Sequence, residues 1–193
     1  PRNNYLPRME FIPGSDELFI QQLNRPQNTN KVWIAKISDN SLNNIFTDTD
    51  AAWLDTNDNI QWLKDNRYFT WESECSGWRH LYRISRDGKE IQPITKGDFD
   101  YISPVGTDLQ KGWVYFIASP DNFTQRYLYR AKAFGNGEVE RVSPMEQSGQ
   151  HRYNMSPTGK WAIHTYSNAS TPSVIDMVSF PNLQSVPMLE DNA

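Results

Sequence analysis

The sequence predicts an all-β chain: a β-propeller segment of four blades, each of four antiparallel strands. Three observations carry that expectation. A four-strand unit recurs at nearly constant spacing, turn residues separate short apolar runs, and helix-period patterning is nearly absent.

The third strands set the register. "VWIAKI" (32–37), "LYRIS" (81–85), "LYRAK" (128–132) and "VIDMV" (174–178) start at Val32, Leu81, Leu128 and Val174, so the spacings are 49, 47 and 46 residues. Before each lies a second strand: "ELFIQQLNR" (17–25), "RYFTWESE" (67–74), "WVYFIASP" (113–120) and "KWAIHTYS" (160–167). These read apolar almost throughout, as expected of strands covered on both faces. Turns "PGSDE", "LKDN", "LQKG" and "SPTGK" introduce them, and the first strands "RMEFI", "NIQWL", "YISPV" and "RYNMS" precede those turns. The fourth strands "LNNIF", "IQPIT", "VERVS" and "QSVPML" are more polar, as expected at an outer edge. A unit of about 47 residues with four strands is the spacing of a propeller blade. The blades are expected at about 5–55, 56–103, 104–154 and 155–193, in one partial propeller domain that covers the chain. Leu81 and its counterparts are expected to face a sheet–sheet interface, which makes the repeated Arg-x-Leu-Tyr-Arg at 79–83 and 126–130 architectural. Because closed rings have about four to eight blades, the repeat leaves two arrangements open: a small closed ring, or half of a larger one.

Composition fits an ordinary globular chain. It has 193 residues, a net charge of −4 and an aromatic fraction of 13%, with seven Trp. The nineteen Lys and Arg are scattered and outnumbered by acids, which argues against a nucleic-acid surface. Cys75 is the sole cysteine, so no intrachain disulfide forms. No apolar run approaches the roughly 18 residues of a membrane span. The chain opens "PRNNYLPRMEF", on Pro1 where an initiating Met would stand and without a secretory leader, and is expected to be cut from within a longer polypeptide.

Few residues point to chemistry. No serine has the Gly-x-Ser-x-Gly setting of a nucleophile elbow. His80 and His164 fall inside strands, where sheet positions are expected. His151 falls in the "EQSGQHRYN" connection, where an exposed position is expected. No Cys-x-x-Cys or His-x-x-x-His occurs, so neither a metal nor a cofactor is expected. "TDTDAAWLDTNDN" (47–59) has Asp48 and Asp50 in Asp-x-Asp spacing but lacks the Gly and Glu of a calcium loop, and reads as a solvated connection. "GNG" (135–137) is a hairpin turn. Glu72 and Glu74, two apart on a strand, point to one side, and either carboxylate work or capture of a cation is the chemistry they offer. Asn122-Phe-Thr and Asn168-Ala-Ser are glycosylation sequons, relevant only in a source that glycosylates.

"YLPRMEFIPGSDELFIQQLNRPQN", "FTWESECSGWRHLYRISRDGKEIQPITKGDFD", "RYLYRAKAFGNGEVERVSP" and "LEDN" together carry a family resemblance. Over 5–192 the chain resembles the propeller of dipeptidyl-peptidase IV-like serine peptidases of the prolyl oligopeptidase clan, bacterial type. Glu72 to Asp98 is the most specific stretch. The resemblance implies the C-terminal half of an eight-bladed propeller, followed in the same polypeptide by an α/β-hydrolase domain with a Ser-Asp-His triad. That enzyme would remove N-terminal dipeptides, Xaa-Pro or Xaa-Ala, from peptide substrates. The propeller would wall and gate the active site and support a homodimer, in the periplasm or cell envelope. The departures are specific. No catalytic residue of the triad lies here, and the glutamates that clamp the substrate amine in the family lie earlier than Pro1, so Glu72 and Glu74 do not inherit that role. A loop near "AAWLDTNDN" extends the substrate pocket in family members with an aromatic residue and an Arg. Here Trp53 and Asp55 are the substrate-binding candidates and the Arg is missing. Two alternatives stand beside this reading: a stand-alone binding or scaffold propeller, and a peptidase relative without its nucleophile.

Overall fold

The computed structural model describes residues 3–190 and contains sixteen strands in four four-stranded antiparallel sheets. The "LEDN" of the family resemblance therefore ends outside the described residues, at Asp191 and Asn192. Contacts divide the chain into two compact units, Pro1–Gly77 with Leu81–Gln92, and Trp78–His80 with Pro93–Ala193.

In the first unit, β1 (Asn4–Phe11), β2 (Glu17–Asn24), β3 (Thr29–Lys36) and β4 (Ser41–Thr49) form one sheet in chain order. Strands β5 (Trp62–Leu63), β6 (Tyr68–Ser73), β7 (His80–Ser85) and β8 (Ile91–Pro93) form the next. Alternation along each strand sends every second side chain to one face. Phe19, Val32 and Ile34 leave the first sheet on one side and meet Phe69, Trp71 and Ile84 of the second, all buried in one cluster. The rings interlock edge to face, Phe19 on Phe69 at 5.0 Å and Phe46 on Trp71 at 5.5 Å. The opposite face of the first sheet is apolar too. Register sets Met9 beside Ile20 and Trp33, and Phe11 beside Leu18 and Ala35. Yet Met9 is 60% and Phe11 63% exposed.

In the second unit, β9 (Tyr101–Asp108), β10 (Trp113–Ala118), β11 (Tyr127–Lys132) and β12 (Val139–Arg141) form one sheet. Strands β13 (Gln150–Met155), β14 (Trp161–Ser167), β15 (Val174–Ser179) and β16 (Ser185–Glu190) form the other. Tyr115, Ile117 and Leu128 pack against Tyr153, Ala162 and Val178. Five of the six residues of β10 are buried, which is why its sequence shows no polar alternation. Ile163 pairs with Met177 on the far face of the last sheet, where Trp161 is 42% and Ile163 47% exposed.

Of the second strands, β6 and β10 are covered as the pattern of the sequence predicts, while β2 is half-buried and β14 keeps one exposed face; the described fourth strands β4, β8 and β12 are mostly exposed or half-buried. The short β5 departs from that pattern. "NIQWL" keeps only Trp62 and Leu63 as strand, because Thr70 engages Gln61 through both backbone and hydroxyl. Its N–H donates to the Gln61 carbonyl at 2.9 Å, and the Gln61 N–H donates to Thr70 Oγ1 at 2.9 Å.

Gly88 closes the β7–β8 hairpin at φ 73°, a left-handed conformation, and a Cβ there would collide with the Ile45 carbonyl. Gly14, at φ 66°, has open space instead. Both Ala substitutions carry the left-handed cost of about 1–2 kcal/mol. Gly88→Ala should cost about 1–3 kcal/mol more through overpacking, read as a lower urea midpoint than that of Gly14→Ala.

Candidate functional site

The connection between β4 and β5 is ordered by its own short side chains. Asp50 Oδ1 accepts from the N–H of Ala52 at 2.6 Å and of Trp53 at 3.2 Å, an Asx turn that lifts Trp53 outward. Trp53 is 57% exposed and donates its indole N–H to Asp55 Oδ1 at 3.1 Å. The two substrate-binding candidates thus form one surface unit. Beneath it, the Asp50 N–H donates to Asn28 O at 3.1 Å, the Leu54 N–H donates to Gln27 O at 2.6 Å, and Leu54 is buried.

Asn57 fixes the other end of the loop. Its amide imitates a strand neighbour, donating to the Glu72 carbonyl at 3.0 Å and accepting the Glu72 N–H at 2.6 Å. Gln21 does the same to Asn57, donating to its carbonyl at 2.6 Å and accepting its N–H at 3.1 Å. Two buried amides therefore bridge β2, the loop and β6 through backbone that would otherwise be unsatisfied, and Gln21 Oε1 also accepts from Asn30 Nδ2 at 3.1 Å.

This corrects the expectation of a solvated segment over 47–59. Asp48 is buried at the end of β4, where it accepts from Trp71 Nε1 at 2.8 Å and Ser73 Oγ at 3.1 Å. Burial pushes its pKa up, and those two donors pull against the rise. Among the described residues no group of three His, Cys, Asp or Glu side chains is arranged to hold a metal ion. Glu72 is half-buried in β6 while Glu74 is exposed beyond its end, so the two carboxylates do not share one environment.

The histidines hold the largest surprise. His80 is buried as expected, with its ring nitrogens 3.1 Å from Thr95 Oγ1 and 3.0 Å from the Gly97 carbonyl. His151, expected in an exposed connection, lies buried in β13. Hairpin register sets Tyr153 opposite His164 and Asp176 opposite His164 on the next strand. The result is a hydrogen-bonded line: Asp176 Oδ1 to His164 Nδ1 at 2.9 Å, His164 Nε2 to His151 Nδ1 at 3.0 Å, and His151 Nε2 to the Gln147 carbonyl at 2.9 Å. Tyr153 stacks on His164 at 4.4 Å, and Tyr166 tilts over His151 at 4.9 Å. The signal in the sequence was the turn "SPTGK", which determines these pairs once the hairpin is drawn.

Both ends of this line are acceptors. Two neutral imidazoles bring two N–H groups to three contacts. The first proton taken up on acidification completes the set, and it belongs on His164, which faces the Asp176 carboxylate. Burial pushes both histidines down, and His151, facing only a carbonyl and another ring, falls to about 4. Among the described residues no serine hydroxyl and no thiol is a hydrogen-bond partner of either ring, as a hydrolase triad would require.

The family model of the dipeptidyl peptidase IV (DPP IV) N-terminal region matches residues 1–173. The dipeptidyl peptidase 4 of Trichophyton equinum is 23% identical over 164 residues, covering 82% of this chain and 21% of that protein. The Trichophyton rubrum dipeptidyl peptidase 4 is 22% identical over 167 residues, with the same coverage. The chain thus spans about a fifth of the length of these curated relatives. The crystal structure of Porphyromonas gingivalis dipeptidyl peptidase 4 superposes with a TM-score of 0.82 and 25% identity, over 98% of this chain and 26% of that one.

Asn57→Ala should destabilise the fold by about 1–3 kcal/mol through unsatisfied buried groups and accelerate amide hydrogen exchange across 50–61. Asp58→Ala, which removes the exposed pair with Arg8 and an exposed hydrogen bond from Thr56, should cost about 1 kcal/mol or less. The buried histidines set a pH dependence whose sign follows from their depressed pKa. The unfolded chain takes up protons below the ordinary 6.5, the folded His151 only near 4. Stability is therefore full above 6.5 and declines as pH falls towards 4, by at most about 1.4 kcal/mol per pH unit for each proton. Denaturant titrations across that window should show the decline, and His151→Gln should flatten it. Imidazole NMR should show His164 titrating before His151.

Proposed function

The chain belongs to the dipeptidyl peptidase IV N-terminal region family, and from that premise we propose that it is the non-catalytic propeller portion of a serine exopeptidase. The parent enzyme releases N-terminal dipeptides, Xaa-Pro or Xaa-Ala. Its Ser-Asp-His triad sits on an α/β-hydrolase domain downstream in the same polypeptide. The propeller walls the active site, gates the entry of peptides and supports a homodimer in the periplasm or cell envelope. On this reading the four blades are half of an eight-bladed ring.

One observation carries the reading beyond the family match. The first sheet of the first unit and the last sheet of the second each present an apolar face that is left about half exposed, Met9 and Phe11 on one, Trp161 and Ile163 on the other. Strands so built need a covering layer. Further blades of the same ring supply it on both sides. Trp53 and Asp55, raised on a loop held at Leu54 and Asn57, are the surface we assign to peptide contact.

Fluorophosphonate labelling of source cells, followed by capture with an antibody against this chain, tests the proposal. A labelled band several times larger than this chain is the expected result. An unlabelled band of this chain's own size would replace the reading with a free-standing scaffold, and a large unlabelled band would indicate a relative without its nucleophile. In the isolated chain, cleavage of a Gly-Pro or Ala-Pro chromogenic substrate that an internal mutation abolishes would overturn the non-catalytic assignment.

A further inference from the structure

In the second unit, the edge strand β13 borders a cavity of about 480 Å³, a volume suited to a small organic ligand. Its lining is one-sided in charge. Arg126 and Arg152 both contribute, and no Asp or Glu is among the described residues that line it. The side chains of Gln150, Thr165 and Ser167 add polar groups around the same space, and Ile102 and Ile117 form an apolar wall.

The two arginines differ in how they are held. Arg126 is fixed by its backbone. Its N–H donates to the Gly149 carbonyl at 3.0 Å, and its carbonyl accepts the His151 N–H at 3.0 Å, a short parallel bridge beside β13. Its Nη1 holds the β10–β11 loop through the Gln125 carbonyl at 2.9 Å and the Phe123 carbonyl at 3.2 Å. That leaves the Nε and Nη2 edge of a positioned guanidinium without a protein acceptor among the described residues. Arg152 lies on the exposed face of β13, on the same side as Gln150, and makes no ion pair among the described residues. With no acid among the described residues of the lining, water or an anionic ligand is what meets the two positive charges.

We propose that this cavity is a carboxylate-binding site that takes the free carboxylate of a small organic acid or peptide. A guanidinium offers paired N–H donors that match a planar carboxylate in bidentate fashion. Phosphate satisfies the same donors. The isoleucine wall favours the organic anion, whose carbon skeleton covers it, over an inorganic ion that would leave it bare. Its lining shares no residue with the Trp53 and Asp55 loop, and it does not depend on peptidase activity.

Calorimetry on the intact protein tests it with three probes: N-acetyl-Ala-Ala as the free acid, the same dipeptide as its amide, and inorganic phosphate. The acid should bind saturably, and the amide at least about tenfold more weakly, the loss of one buried charge-assisted pair. Arg152→Gln, at an exposed position that does not disturb the fold, should weaken the acid at least about fivefold, and Lys89→Gln, on the β7–β8 turn outside the lining, should leave it unchanged. Arg126→Lys keeps the charge but removes the fork, and should weaken the acid while far-ultraviolet circular dichroism stays the same. Equal binding of acid and amide, no saturable binding of the acid, or an unaffected Arg152→Gln would each overturn the proposal. Phosphate binding tighter than the acid would overturn the organic part of it. Because none of these readouts involves hydrolysis, the site stands or falls independently of the peptidase assignment.

Discussion

Everything in this chain depends on covering both faces of a four-stranded sheet. A sheet with one polar face needs one partner, but the second strands here are apolar on both sides. Phe19, Phe69 and Trp71 in the first unit, and Tyr115, Ile117 and Tyr153 in the second, show the solution: ring against ring or ring against branched chain, between two sheets. Truncating one such aromatic to Ala removes about 3–5 kcal/mol of transfer and cavity energy, a large share of the stability of a domain this size. Local turn chemistry only sets the register in which these side chains meet.

That constraint brings polar groups inside with the apolar ones. Strand alternation gives no choice at a position facing the neighbouring sheet, and Asp48, Gln21, His151 and His164 all occupy such covered positions. Each is satisfied by a partner that sequence distance hides. Asp48 reaches Trp71 and Ser73, Gln21 reaches the backbone of Asn57, and the histidine pair ends on Asp176 and a carbonyl. Such networks cost a great deal when half-made and specify one register when complete. They are therefore where the two units gain uniqueness, as distinct from stability.

The repeat was readable because it is written in chain-local terms: a turn, an apolar run, a turn, at constant spacing. Hence the third strands at Val32, Leu81, Leu128 and Val174 fall within a few residues of their observed positions. Trp53 and Asp55 came from the family resemblance alone, and the hydrogen bond that joins them is visible only in the structure. What escaped depends on pairing across strands. His151 follows "EQSGQ", a connection by composition, and only its opposition to Tyr166 shows that it belongs to β13 and turns inward. Asp48 sits in an acidic run that resembles a solvated loop, and only Trp71, on another strand, explains its burial. The shortness of β5 has the same cause, since Thr70 supplies part of the pairing that a longer strand would make.

The anchored loop has an evolutionary implication. Asp50 and Leu54 both bond to the β2–β3 turn, and Asn57 bonds to β6, so the tip Ala51–Trp53 hangs between fixed posts. Residues at the tip can be exchanged, or their number altered, without transmitting a shift to either sheet. The tip behaves as a replaceable cassette. Ala51 and Ala52 can therefore take larger side chains, an Arg among them, and change what the loop touches while both sheets stay as they are.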